Sequence, residues 1–422
     1  MFFVGHGAFA QDLTAALDNI INSDSLSKTS VVAVKIIDKN TKNIVYQRDS
    51  ALLLKPASTM KVATSAVVLD TLGADYMLKT AIYESDGRLY LKLLGDPTFT
   101  SKDFKELFKS IEIEKYDTLI IDNTAIDNRF YDNDWMWNNL ISDDNPPYSV
   151  FNLDKNTLHL KITPYKKTKT VQVACEYPVT IANELVLGKY NDIKVEHRPW
   201  QNSDAVYLSG TVMTPCVVDI SVPNPEKYFL HALHQAIPNF DGKIYYGEVP
   251  CNACLLTWFE TPLMEILREQ NKKSNNLYAE TMFKLAANRA FGKTGTIDDA
   301  RKLFERFYGT NEFVVADASG LSHKNLLSCD FLCDVLYRVR NNQDFVSTLS
   351  VAGCDGTLKN RLKEVSLQGK TGTITGVSGL CGYIKASSGH EYIFTILTQN
   401  YKGIAKPAKH LEDSIVRELN KF

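Results

Sequence analysis

Two antiparallel hairpin patterns lie at opposite ends of this 422-residue chain, and a sheet that uses both must bring the two ends of the sequence together. Near the start, strand-like runs at 31–37 and 44–46 flank the turn segment 38–43. Near the end, runs at 380–385 and 391–397 flank Ser387-Ser-Gly-His390. Helical patterns accompany them: after Gln11 to about Ile21, from Thr59 to a stop at Gly73, from a Thr261 cap with Pro262 in the first turn, at 277–289, and at 407–420. Between residues 82 and 260 the pattern changes to short β-type runs at 89–94, 118–121, 158–162, 171–174, 193–196, 205–208 and 216–222. The expected architecture is an α+β domain whose sheet joins both chain ends, with the β-rich middle as an excursion from it.

Composition narrows the function. Lys and Arg total 47 against 49 for Asp and Glu, a net charge of −2, so no global positive field draws the chain to nucleic acid or anionic lipid. No window holds the roughly 18–20 unbroken apolar residues of a spanning helix. The apolar first ten residues end in Ala8-Phe9-Ala10 before Gln11, which resembles the tail of a secretory signal with its cleavage site, lacking the basic start. The eight cysteines are too sparse for a disulfide framework. Cys251-Asn-Ala-Cys254, with His231 and His234 upstream, has the spacing of a zinc site. The histidines fall at the edge of an amphipathic helix pattern, however, so a disulfide or two free thiols is the expectation.

Three short motifs carry the chemistry. Ser58-Thr-Met-Lys61 places a hydroxyl and an amine one helical turn apart, at a helix start where unsatisfied N–H groups favour a developing negative charge. A lysine buried against the apolar helix that follows can lose its charge and act as a base. A second copy, Ser25-Leu-Ser-Lys28, leads into a strand-like run, where side chains three apart face opposite ways, and is rejected. Ser274-Asn-Asn276 falls in a loop between helices, where alternate side chains reach one cleft; in isolation it reads as a helix cap. Lys370-Thr-Gly-Thr373 precedes an apolar run as on an edge strand, with Gly372 allowing close backbone approach to a ligand. A second Lys-Thr-Gly-Thr begins at Lys293, only 19 positions after Ser274 and directly before a helix start, so strand context favours Lys370.

Ser-x-x-Lys, Ser-x-Asn and Lys-Thr-Gly in that order resemble the signature of penicillin-recognising serine acyltransferases. The longer context is similar to the class C low-molecular-mass penicillin-binding proteins, serine-type D-Ala-D-Ala carboxypeptidases and endopeptidases. It rests on Lys55-Pro-Ala-Ser-Thr-Met-Lys-Val-Ala-Thr-Ser-Ala, Leu94-Gly-Asp-Pro-Thr98, Lys273-Ser-Asn-Asn-Leu-Tyr-Ala-Glu280, Asp317-Ala-Ser-Gly-Leu-Ser322 with Asn325, and Ala352-Gly-Cys-Asp-Gly-Thr-Leu358 through the stretch Gly369 to Tyr383. The 213 positions between Lys61 and Ser274 match that family's large insertion. The resemblance implies a transpeptidase-like (β-lactamase-like) domain at 11–81 and 261–422, an inserted domain at 82–164 and 226–260, and a third nested at 165–225. It also implies export to the periplasm, with residues 1–10 a signal remnant.

The same resemblance implies a mechanism without metal or organic cofactor. Ser58 attacks the penultimate D-Ala carbonyl of a muropeptide stem with Lys61 as base, and the N–H groups of Ser58 and Thr373 hold the oxyanion. Ser274 relays a proton to the leaving amine. Asn276 orients the substrate amide, and Lys370 with Thr371, Gly372 and Thr373 takes the terminal carboxylate. The partners implied are peptidoglycan muropeptides and β-lactams, not nucleic acid. Rival readings are a β-lactamase or esterase of the same acyl-serine type, and a penicillin- or peptidoglycan-binding protein without turnover. The chain departs from the family at Asn275, where Asp is common, and at His323-Lys324, where an Arg is frequent. Trp135, Trp137 and Asp122 are candidate cleft-wall residues, with buried structural aromatics the first reading of the tryptophans.

Overall fold

The first and last strands of the chain are neighbours. In the computed structural model, which describes residues 5–132, 134–137, 140–198 and 205–422, α1 (Gly5–Ser23) leads into β1 (Val31–Asp38), β2 (Ile44–Arg48) and α2 (Met60–Leu72). After the insertion follow α3 (Asn276–Phe291), β3 (Ser350–Val351), β4 (Ser366–Ile374), β5 (Val377–Lys385), β6 (Glu391–Gln399) and α4 (Lys406–Leu419). The antiparallel sheet runs β3-β4-β5-β6-β1-β2, with β1 against β6 from Val31 opposite Gln399 to Asp38 opposite Tyr392. Both chain ends therefore lie in one sheet.

The β-branched and aromatic residues of β1 and β6 suit central strands, and their continuous burial from Val32 to Ile37 and from Tyr392 to Gln399 means both sheet faces are covered. On one face Leu13, Leu17 and Ile21 of α1 join Leu411, Ile415, Val416 and Leu419 of α4, over Val32, Val34, Ile36, Phe394 and Ile396. Each such side chain contributes about 1.5–3 kcal/mol by leaving water. On the other face the helix Cys329–Val339 sets Cys333 Sγ 3.4 Å from Thr395 Oγ1 and 3.6 Å from the Lys35 carbonyl. Helix α2, buried continuously from Met60 to Leu69, runs through the interior and ends at Gly73, whose φ of 86° suits glycine.

This unit comprises the residues up to Tyr76, Pro262–Phe291 and Thr296–Phe422; Met77–Thr261 with Gly292–Gly295 form a second compact unit. The second unit holds a five-stranded mixed sheet in the order Lys243–Tyr246, Thr118–Asp122, Arg88–Lys92, Met77–Ser85, Cys254–Pro262. It also holds two three-stranded sheets around Leu158, Leu160, Ile162, Val206, Leu208 and Ile220.

Several local expectations are corrected. Helix α1 already includes Gly5 to Gln11; residues 1–4 of the leader lie outside the described residues. Ser25–Lys28 do lead into the strand β1, but themselves form a 3-10 turn capped by Asp24 and not extended chain. Thr261 does not cap a helix: the strand Cys254–Pro262 continues through it, its hydroxyl bonds Thr98 Oγ1 at 2.8 Å, and Pro262 is itself the N-cap of the helix Leu263–Lys272. Among the described residues no helix is long and apolar enough to cross a membrane.

Candidate active site

The serine sits where a short turn becomes a buried helix. Residues Ala57–Thr59 form one 3-10 turn that runs directly into α2, with Thr59 bonding the Pro56 carbonyl through both its N–H (3.2 Å) and its hydroxyl (2.6 Å). Ala57 is held at φ 45°, a left-handed conformation that costs a non-glycine residue on the order of 1–3 kcal/mol and that clusters at functional sites. Gly320 explains how this is held: a Cβ there would lie 1.9 Å from the Ala57 carbonyl oxygen, so a second turn presses on the first.

Lys61 lies one turn beyond Ser58 and is wholly buried. Its Nζ donates to Ser58 Oγ (3.0 Å), Asn276 Oδ1 (2.6 Å) and the Ser319 carbonyl (2.8 Å). Asn276 opens α3, and Asn275, not Ser274, supplies the cap, accepting from the Tyr278 N–H at 3.2 Å. Ser274 is thereby released into a left-handed turn at φ 62°, where its Oγ accepts from Lys370 Nζ at 2.9 Å.

Lys370 belongs to β4, whose segment 370–374 pairs only with β5, because β3 meets β4 at Gly369 and Gln368 alone. Burial and then the neighbouring Lys61 push the Lys370 ammonium well below the ordinary lysine range. Its Nζ also donates to the Thr371 carbonyl (2.7 Å), while the Thr371 hydroxyl donates to Thr357 Oγ1 (2.8 Å); Thr373 is exposed. Gly372 answers to the protein itself: a Cβ there would lie 2.9 Å from Pro56 O, Ser58 N and Thr59 N, so the strand passes against the backbone of the serine turn. Ser58, Lys61 and Asn276 thus form one hydrogen-bonded group and Ser274 with Lys370 a second, a nucleophile with an adjacent amine and a second amine beside a second hydroxyl.

The rejected copies lie elsewhere. Ser25 and Lys28 are exposed. Lys293 is exposed in the second unit, where Gly295 bridges to Ile126. His323 carries no fixed charge at neutral pH: burial and the nearby Lys55 ammonium hold its imidazole below the usual range. Asp122 is a buried acceptor for Thr124 and the Val249 N–H, Trp135 packs edge-on to Tyr131, and Trp137 is half-exposed. Cys251 and Cys254 are exposed free thiols, and among the described residues no group of three or more His, Cys, Asp or Glu is placed to hold a metal.

Sequence reasoning named no role for the Ser319 carbonyl, which is backbone, nor for Glu280 and Thr357. Glu280 carried a signal: it lies four residues after Asn276 and so shares its helix face.

The D-Ala-D-Ala carboxypeptidase 3 (S13) family matches residues 13–421. The chain belongs to that family. It is a serine-type D-Ala-D-Ala carboxypeptidase acting through an acyl-enzyme. The chain is 27% identical to a D-alanyl-D-alanine carboxypeptidase of Actinomadura sp., over 99% of this chain and 86% of that protein. It is 23% identical to the D-alanyl-D-alanine carboxypeptidase DacB of Haemophilus influenzae, over 91% and 90%. The fold matches the crystal structure of penicillin binding protein 4 (dacB) from Haemophilus influenzae, with a TM-score of 0.82 and 21% identity over 98% of this chain and 99% of that one. A second structure of that protein holds a β-lactam. A predatory peptidoglycan endopeptidase from Bdellovibrio bacteriovorus matches with a TM-score of 0.52 at 15% identity, over 93% of each chain. These likenesses identify a penicillin-binding, transpeptidase-like α+β fold.

Proposed function

We propose that this protein removes the terminal D-Ala from peptidoglycan stem peptides, or cuts a cross-link that ends in the same bond, with Ser58 as nucleophile and Lys61 as general base. The observation that carries the reading is the seat of Lys61: a wholly buried amine 3.0 Å from Ser58 Oγ. In its free-base form that amine takes the serine proton as Oγ attacks the penultimate D-Ala carbonyl. The N–H groups of Ser58 and Thr373 receive the oxyanion; the contact of Gly372 with the Ser58 backbone supports that pairing. Ser274 passes a proton to the departing amine, with Lys370 2.9 Å behind it. Asn276 orients the substrate amide.

The terminal carboxylate binds along Lys370 to Thr373, where its charge restores the ammonium form of Lys370 that burial disfavours. A water then hydrolyses the acyl-Ser58 ester. A β-lactam, carrying a carbonyl and a carboxylate in the same relation, acylates Ser58 by the same steps. The substrate lies outside the cytoplasmic membrane, so the periplasm is the place of action, and the Ala8-Phe9-Ala10 pattern supports export.

Mass spectrometry after penicillin treatment tests the assignment. One adduct on the peptide containing Ser58 is expected, and none in Ser58→Ala, which loses only a hydroxyl and keeps its melting temperature. An adduct elsewhere, or muropeptide hydrolysis by Ser58→Ala, refutes it.

A further inference from the structure

Lys61 is aimed by the turn at 317–320, outside the three short motifs that carry the chemistry, and that turn hangs from two buried carboxylates. Glu280, fully buried on α3 one turn beyond Asn276, accepts from the N–H of Ala318 (3.0 Å) and of Ser319 (2.8 Å). Asp317 Oδ1, also buried, accepts from the Gly320 N–H at 2.7 Å. With three successive N–H groups turned toward carboxylates, the carbonyls of 318 and 319 face the opposite way, toward α2. There the Ala318 carbonyl accepts from Thr64 Oγ1 at 3.0 Å and the Ser319 carbonyl from Lys61 Nζ at 2.8 Å. Lys61 and Thr64 are three apart on α2 and so share one face.

The chemistry of a general base gives this arrangement its purpose. A neutral lysine amine has two N–H donors and one lone pair. In that form Asn276 Oδ1 and the Ser319 carbonyl accept the two hydrogens, and the lone pair faces Ser58 Oγ in place of the hydrogen that the ammonium form donates there. Without the Ser319 acceptor the amine loses one of the groups that fix its rotation about its last carbon bond, and the lone pair is less well directed at Ser58.

We propose that Glu280 is a positioning residue for acylation: through the Ala318-Ser319 turn it fixes the carbonyl that orients the free-base form of Lys61. This rests on the reading of Lys61 as the base. Glu280 reaches the Ser319 carbonyl beside Lys61 through backbone, so it affects the acylation step and not the binding of substrate to Lys370 and its neighbours.

Stopped-flow acylation by a penicillin, resolved into the affinity of the non-covalent complex and the first-order acylation rate constant, tests this in Glu280→Gln. The amide keeps the shape but turns a donor toward one N–H. The expected result is a fall of about 10²-fold in the acylation rate constant, the scale of loss for a catalytic group misplaced by an ångström, with the non-covalent affinity unchanged. Glu280→Asp, which keeps the charge on a shorter arm, should recover part of the rate. A purely structural glutamate would lower the titratable fraction of sites and the melting temperature while leaving the rate constant of folded molecules at the wild-type value, and that result overturns the proposal. Should Glu280→Gln not accumulate folded, Thr64→Val releases the same turn at the Ala318 carbonyl, and a wild-type rate constant there overturns it equally. Lys61→Met separates the two readings. If it acylates at the wild-type rate the base assignment fails, whereas a slow Lys61→Met beside a fast Glu280→Gln refutes only the role of Glu280.

Discussion

Replacing Gly372 by alanine adds one methyl group at the point where the catalytic strand meets the catalytic turn. The new Cβ would lie 2.9 Å from Pro56 O, Ser58 N and Thr59 N, against the 3.4 Å at which ordinary Cβ contacts begin, so strand and turn must separate by about 0.5 Å. All three atoms are backbone, and no flexible side chain can swing aside. Overpacking of this kind costs about 1–3 kcal/mol, which at roughly 2–4 °C per kcal/mol lowers the melting temperature by several degrees. Acylation suffers more, because the same displacement moves the Thr373 N–H from the Ser58 N–H it works with. At about 10²-fold per ångström, half an ångström costs about tenfold. Scanning fluorimetry and stopped-flow acylation by a reporter penicillin measure both. A variant that melts lower yet acylates at the wild-type rate refutes the claim that Gly372 sets the distance between strand and serine turn.

Other perturbations follow the same logic. Lys370→Ala should slow acylation by orders of magnitude while Lys293→Ala acylates normally, since an exposed charge is worth within about 0.5 kcal/mol; reversed effects in the acylation assay would refute the choice of motif copy. Because burial depresses Lys370, a carboxylate ligand binding to Ser58→Ala near neutral pH should draw in a proton; calorimetry in buffers of different ionisation enthalpy reads it, and uptake should vanish with Lys370→Ala. Arg361 lies 3.0 Å from the fully buried Glu412 and 2.7 Å from Asp413, so Arg361→Ala should cost about 3–5 kcal/mol by denaturant titration. Burial raises the Glu412 pKa, and Arg361 opposes that rise. With the folded value above the unfolded one, the stability Glu412 contributes is present at low pH and lost as pH rises through the folded value. The deficit of Arg361→Ala should therefore be smaller at pH 4–5 than at pH 8.

The catalytic unit was legible where side-chain pattern and chemistry coincide. Residues 31–37 and 391–397 are so rich in β-branched and aromatic side chains that strand pairing follows, and Ser58, Lys61, Ser274, Asn276 and Lys370 sit in short motifs whose local context separates them from the copies at Ser25 and Lys293. The strand Met77–Ser85 went unmarked because Lys79, Thr80 and Ala81 break any period of two. Thr261-Pro262 misled because a threonine before a proline satisfies the rules for a helix start equally well when the threonine still belongs to a strand. The Ser319 carbonyl could not be read at all, since every residue has one and only tertiary structure aims it. Gly372 was legible as a site of close approach, though a ligand was expected where the backbone of Pro56 to Thr59 stands.

The pairing of β1 with β6 also orders events in time. Lys39 and Glu391, 352 positions apart in sequence, meet at the end of the β1–β6 pair, so the catalytic sheet cannot join its two halves until nearly the whole chain has been made. Loop closure itself is a mild penalty, about 0.6 kcal/mol per doubling of length, so the long insertion is thermodynamically tolerable. Kinetics are less forgiving: contacts this distant slow folding, and β1 with β2 must wait as a two-strand ribbon with a bare apolar edge that other chains can pair with. The second unit, Met77–Thr261 with Gly292–Gly295, is by contrast complete before β4, β5 and β6 are synthesised. The order of assembly is therefore insertion first and active site last, and a chain cut short before Glu391 holds Ser58 and Lys61 but lacks the sheet that makes them an enzyme.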